Sequence, residues 1–220
     1  MYKDILNIIF PSTCKVCDGY LMSKKRGICH QCYSQIEFLK HDHPFMHQWF
    51  IRLYSRFPIV DYYTLFDISF NDFAHEIIKA IKYNDAPEIA FVLGKQLGKQ
   101  IPKNQLKEIS GLIPVPMHPE KFRKRGYNQA WHIAKGISEI SGIEIFNENV
   151  IRTVNSDSQT QKNRWERLQN VDHVFSLIND QLPDHLLLVD DVLTTGSTLE
   201  NLAKALPVNI KKSIATLAVA

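Results

Sequence analysis

The chain has 220 residues, 45% of them hydrophobic and 22% charged, which suffices for one sizeable core and a small appendage. Its formal charge of +3 says little about nucleic-acid binding, so only local charge clusters are informative. No apolar stretch reaches a membrane span, and no internal repeat or low-complexity tract is visible, which argues against helical membrane proteins and repeat architectures.

Near the start, Ile5, Leu6, Ile8 and Ile9 form a short apolar helix face suited to packing on the protein. Asp4 and the lack of a cleavage pattern argue against a signal peptide, so the expected location is cytoplasmic. All four cysteines follow. Cys14 and Cys17 are separated by two residues, eleven residues intervene, and Cys29 and Cys32 repeat the first spacing. Two such knuckles can bring four thiolates into a tetrahedron around a structural Zn2+, and so short a segment has little else to hold it folded. Two disulfides are the alternative, disfavoured in a cytosolic chain, and His30 is a spare ligand that four cysteines make unnecessary. Four thiolates with one Zn2+ would lower the formal charge by two. Lys24, Lys25 and Arg26 form a basic patch here, either a solvated face or an anion contact.

The ribbon is expected to run to about residue 40, followed by a polar, His-rich bridge over residues 41–47, giving domains 1–45 and 46–220. Residues 59–67 have the β-branched and aromatic content of a strand. Phe73, Ile77, Ile78 and Ile81 share one face of a helix over residues 73–83, and a second helix is expected over 87–100, opened by Pro87. Residues 111–117 read as a core strand and 128–141 as a helix, with further strands near Val150, Phe175, Leu186 and residues 213–218. This alternation predicts an α/β fold with a mostly parallel sheet. Between the strand and the helix, Pro116 and Pro119 restrict a loop whose His118, Lys121, Arg123, Lys124 and Arg125 can face a diphosphate. His118 either acts on a ligand or hydrogen-bonds its own loop. Asn128 is either a helix N-cap or, with Gln129, a cleft contact, and Phe122 and Tyr127 either stack on bases or anchor the core.

The most informative stretch is residues 186–199, a continuous apolar run ending in Asp190 and Asp191 and then Val192, Leu193, Thr194, Thr195, Gly196, Ser197 and Thr198. Such a run suits the centre of a parallel sheet, whose C-terminal edge is where open α/β folds bind ligands. The hydroxyls, the glycine and the N–H groups of a following helix make a phosphate cradle. Asp190 and Asp191, as acceptors, suit the two hydroxyls of a ribose with Mg2+ nearby; the plainer alternative is one helix-capping and one solvated aspartate.

This Asp-Asp and hydroxyl loop resembles the signature of type I phosphoribosyltransferases for 5-phosphoribosyl 1-diphosphate (PRPP). The run Ile113-Pro114-Val115-Pro116-Met117-His118-Pro119 with residues 121–130 is similar to the central signature of the ComF family of competence-related, phosphoribosyltransferase-like proteins. A third stretch, with Arg152, Ser156, Gln159, Arg164, Arg167, Asn170 and Phe175, is similar to that family's mobile catalytic loop. Ser156 stands where Thr is usual, Lys162 where an apolar residue is usual, and Asp85 where Gly is common, which suggests an altered turn there. The resemblance covers nearly the whole chain.

It implies a type I phosphoribosyltransferase-like, mostly parallel sheet with a small N-terminal zinc ribbon held by Cys14, Cys17, Cys29 and Cys32. It also implies PRPP binding by Val115, Pro116, Met117, His118, Arg123, Arg125, Asp190, Asp191, Val192, Leu193, Thr194, Thr195, Gly196, Ser197 and Thr198. Asp190 and Asp191 are the candidate catalytic pair, and Gln159, Arg164 and Arg167 are loop candidates. The function so implied is PRPP binding in natural competence and DNA uptake, with Zn2+ structural and Mg2+ bound with PRPP. Two alternatives are an active Mg-dependent phosphoribosyltransferase acting on a nitrogenous base or amine, and a single-stranded DNA-binding or scaffold protein without turnover. Expected partners are PRPP or a related ligand, single-stranded DNA, and a competence helicase or other DNA-uptake protein. No base-recognition hood is identifiable, so the acceptor stays unnamed.

Overall fold

The computed structural model describes residues 12–21, 26–69, 72–153 and 174–220. The apolar N-terminal face, Lys24, Lys25, Ser156, Gln159, Lys162, Arg164, Arg167 and Asn170 lie outside the described residues.

Leu186, Leu187, Leu188 and Val189 are all fully buried because the strand that carries them, β5 (His185–Leu193), is interior to a sheet covered on both faces. Among the described residues this sheet has four parallel strands in the order β1 (Tyr62–Asp67), β6 (Lys211–Val219), β5 and β2 (Gly111–Pro114). Its two faces sort by the period of two along β5. Leu187 and Val189 join one apolar cluster, and Leu186 and Leu188 join the other.

The first cluster is covered by α3 (Asp72–Tyr83), α4 (Pro87–Gln100) and α7 (Gln129–Ser141), and the second by α2 (Pro44–Tyr54) and α8 (Ser197–Ala205). Short helices α1 (His30–Ser34), α5 (Lys103–Glu108) and α6 (Pro119–Arg125) complete the described set. Adjacent strands β2 and β5 therefore send their following helices to opposite faces, which opens a crevice at their C-terminal ends.

Three sequence expectations change. The His-rich bridge is mostly helix α2: His43 caps it by accepting from Phe45 N at 3.3 Å, Pro44 opens it, and Met46, Trp49 and Leu53 bury one face. The strands at Val150 and Phe175 do not join the parallel sheet but pair with each other, antiparallel, as β3 (Val150–Arg152) and β4 (Phe175–Leu177). The expected strand over residues 111–117 ends at Pro114, since Pro116 brings no N–H to a ladder, although Val115 N still donates to Val189 O at 2.8 Å.

Helices α4 and α7 touch backbone to backbone. A Cβ at Gly94 would stand 2.2 Å from Ile133 O, and one at Gly136 would stand 2.3 Å from Phe91 O, so only glycine permits this crossing. On the other flank of α4, Leu21, Ile28 and Ile36 of the cysteine segment enter the same apolar cluster as Ile89 and Leu93. Among the described residues no helix is long and apolar enough to cross a membrane.

Candidate functional site

The four cysteine sulfurs gather within 4.8 Å of one another. The first knuckle turns because Asp18 adopts φ +57°, and Cys14 N donates to Gly19 O at 2.7 Å. Cys29 caps α1, its sulfur accepting from Cys32 N at 3.3 Å, and Cys29 N donates to the Cys14 sulfur at 3.3 Å. Cys17 and Cys29 sulfurs are 3.8 Å apart, close to the roughly 3.8 Å edge of a tetrahedron with 2.3 Å metal–sulfur bonds. Four soft donors so arranged, with N–H groups pointed at two of them, can hold a metal ion.

The second site lies where β2 and β5 diverge. Pro114 sits opposite Val189, so Val115, Pro116 and Met117 run beside Asp190, Asp191 and Val192, and all six line a cleft of about 230 Å3. Its other walls include Lys82 from the end of α3, Lys121 and Arg125 from α6, Asn128 and Gln129 from the start of α7, Arg152 from β3, and Thr194 and Thr198. Two carboxylates and four cations thus meet in one polar space. Asp191 pairs with Lys82 at 3.4 Å, and its other oxygen accepts from Val192 N at 2.7 Å. Asp190 accepts from Asp191 N at 2.9 Å. Desolvation, then the neighbouring Asp191 charge, push the Asp190 carboxyl up to about 7, against the opposing pull of Asp191 N–H, Lys82 and Arg152. At neutral pH it is therefore poised between an acceptor and a donor.

The hydroxyl loop is shaped by Gly196 at φ +78°, the N-cap of α8, and by a contact of Thr195 Oγ1 with Ser197 Oγ at 3.1 Å. Arg56 clamps it from the far side: its Nη1 donates to Thr195 O, while Nε donates to Glu200 at 2.8 Å. Sequence reasoning missed Arg56 and Lys82. Arg56 lies in no motif, Lys82 only leads into the turn at Asp85, and each reaches the site through the end of a helix that packs on the sheet.

Several expected residues stand elsewhere. His118 caps α6, accepting from Glu120 N at 3.3 Å, and neither it nor Arg123 lines the cleft. Leu193 is buried in the apolar cluster, and Thr195, Gly196 and Ser197 lie beside the cleft lining rather than in it. Asn128 is both cap and cleft wall, accepting from Ala130 N at 3.1 Å and donating to Val115 O at 3.0 Å. Tyr127 is a core anchor whose hydroxyl donates to Ile81 O and accepts from Ala86 N, whereas Phe122 is half exposed. Asp85 adopts a left-handed turn at φ +48°, a conformation that glycine favours. A different and larger cavity than this cleft, about 560 Å3, lies between the cysteine segment and α4 and holds neither aspartate nor hydroxyl loop.

No family model matches the chain. It is 37% identical over 106 residues to Competence protein F of Haemophilus influenzae, covering 47% of this chain and 46% of that protein. It is 27% identical over 139 residues to Competence protein ComFC of Bacillus subtilis, covering 63% and 55%. It is also 27% identical over 141 residues to DNA utilization protein YhgH of Escherichia coli, covering 59% of each. The chain thus spans about half the length of the curated relatives it matches. Similarity to several proteins of this kind, with the motifs above, supports assignment of the chain to the ComF family of competence-related proteins.

Proposed function

We propose that the chain binds PRPP in the cleft between β2 and β5 and serves DNA uptake or use, with residues 1–45 as a zinc-held appendage of a phosphoribosyltransferase-like unit spanning 46–220. The observation that carries this reading is the convergence of an acidic pair, a hydroxyl loop at a helix N-terminus and four cations in one cleft. In this reading Asp190 and Asp191 hold the ribose hydroxyls. Thr194, Thr198 and the first N–H groups of α8 hold the 5′-phosphate. Lys121, Arg125 and Arg152 face the diphosphate beside Val115, Pro116 and Met117. The hard oxygen donors of the acidic pair suit a cleft that also receives Mg2+, which would spread the charge of the departing diphosphate. Zn2+ on Cys14, Cys17, Cys29 and Cys32 would be structural, since protein fills all four positions. Should transfer occur, a nitrogen acceptor would form the new bond to ribose C1 as the C1–O bond to diphosphate breaks. The role in DNA handling is drawn from the relatives' names, competence and DNA utilization.

Calorimetric titration of the zinc-loaded protein with PRPP and Mg2+ tests the reading. Saturable binding that disappears in D190A/D191A is expected. Absence of PRPP binding, with salt-dependent binding of a single-stranded oligonucleotide instead, would overturn the PRPP site and leave DNA handling as the function.

A further inference from the structure

We infer that Gln129 is a ligand-binding residue of this cleft, its side-chain amide donating a hydrogen bond to a diphosphate oxygen; the inference rests on the PRPP reading. Gln129 opens the 13-residue helix α7 and lines the cleft, yet it is only 2% exposed. Its Nε2 is buried with no hydrogen-bond partner, a condition shared among the described residues only by Asp67 Oδ2. A buried N–H without an acceptor gives up its water and receives nothing in return, so an apolar side chain of the same length would suit the ligand-free fold better. The neighbouring amide shows the contrast. Asn128 spends its oxygen on Ala130 N and its nitrogen on Val115 O, which ties α7 to the loop after β2. Gln129, one residue on, keeps its donor unspent at the same loop.

The surroundings define the missing partner. Lys121, Arg125 and Arg152 line the same cleft, and the N-terminus of α7 adds its partial positive charge. Together they favour an anionic oxygen over a neutral or cationic group. Half a turn about the last side-chain torsion exchanges Nε2 with Oε1, so an arriving anion selects the nitrogen end. Because Asn128 fixes the start of α7 to Val115, that oxygen belongs to the diphosphate rather than to the 5′-phosphate beside Thr194 and Thr198.

The test compares wild type with Q129M, which keeps side-chain length and removes the donor. Calorimetry with PRPP and Mg2+, inorganic diphosphate, and ribose 5-phosphate is read alongside the melting temperature of the ligand-free protein. Expected for Q129M is a loss of at least ~10-fold in affinity for PRPP and diphosphate, from losing a hydrogen bond to a charged acceptor. Ribose 5-phosphate affinity should stay unchanged and the melting temperature unchanged or higher. Wild-type PRPP affinity in Q129M would overturn the inference while leaving the PRPP site standing. An equal loss for ribose 5-phosphate together with a lower melting temperature would reduce Gln129 to a structural role. Failure of the wild type to bind PRPP would remove the underlying reading and the inference with it. If Q129M does not fold, Q129E serves: its carboxylate should repel diphosphate more than Q129M does, and undiminished diphosphate affinity would overturn the inference.

Discussion

The four sulfur donors of the cysteine segment come from one stretch between Cys14 and Cys32, whereas the cleft draws Lys82, Val115, Gln129, Arg152 and Asp190 from about half of the chain's length. In the first region short knuckles set the geometry and gather four sulfurs that could hold a metal ion. In the second, the divergence of two parallel strands sets the geometry, and a core covered on both faces holds it. A motif that folds on itself can be read along the sequence. A site assembled by a sheet can be read only where one strand meets its own loop and helix. The two regions are nevertheless joined, since Ile28 and Leu21 share an apolar cluster with α4, and α4 packs on the helix that presents Gln129.

The contact between α4 and α7 is the most sensitive point of that connection. G136A should destabilise the protein by about 3 kcal/mol, because the new methyl would overlap Phe91 O and force the helices apart. Denaturant unfolding measures it, and PRPP binding should weaken as Gln129 and Asn128 shift. A change below about 0.5 kcal/mol would mean the helices separate freely and the cleft does not depend on their packing.

Metal removal asks whether the cysteine segment is independent. Chelation, or C32S, should lower the melting temperature of the whole chain by roughly 5–10 °C, corresponding to about 2–3 kcal/mol. Calorimetry that instead shows a small separate transition and an unchanged main one would break the link through Ile28 and Leu21. Zinc content by mass spectrometry accompanies the measurement.

R56A sharpens the picture of the loop. Its pairing with Glu200 is partly exposed and screened, so stability should fall by only about 1 kcal/mol. PRPP affinity should fall more noticeably, by ~10-fold, because the contact to Thr195 O holds the loop in shape. Equal binding in R56A would show that Gly196 and α8 alone fix the loop.

A pH slope is the last expected effect. Asp190 is raised to about 7 in the folded chain, so the folded state holds a proton that the unfolded state releases near its ordinary value of 3.8. Its contribution to stability is complete below about pH 4 and is lost as pH rises through about 7. D190N should flatten that decline, as read by urea unfolding at pH 5 and pH 8. An unchanged slope would locate the titration elsewhere.

Sequence alone determined the four-cysteine cluster, the apolar strand with its acidic pair and hydroxyl loop, the helix capped by Asn128, and the likeness to the ComF family. Each of these is a local pattern: a spacing of cysteines, a period of buried side chains, a cap preceding its own helix. Local patterns also misled in two places. The polar residues of the His-rich bridge hid the buried face made by Met46, Trp49 and Leu53, and proximity to the loop after β2 suggested cleft roles for His118 and Arg123 that the capping and exposed positions of α6 do not give them. Tertiary structure decided which cations reach the cleft, that Arg56 clamps the loop, that β3 and β4 form their own ribbon, and that Gln129 is left with an unpartnered donor. None of these could be read locally, because strand order places β2 beside β5 and two close-packed glycines set the angle of α7, and both depend on contacts between residues far apart in the chain.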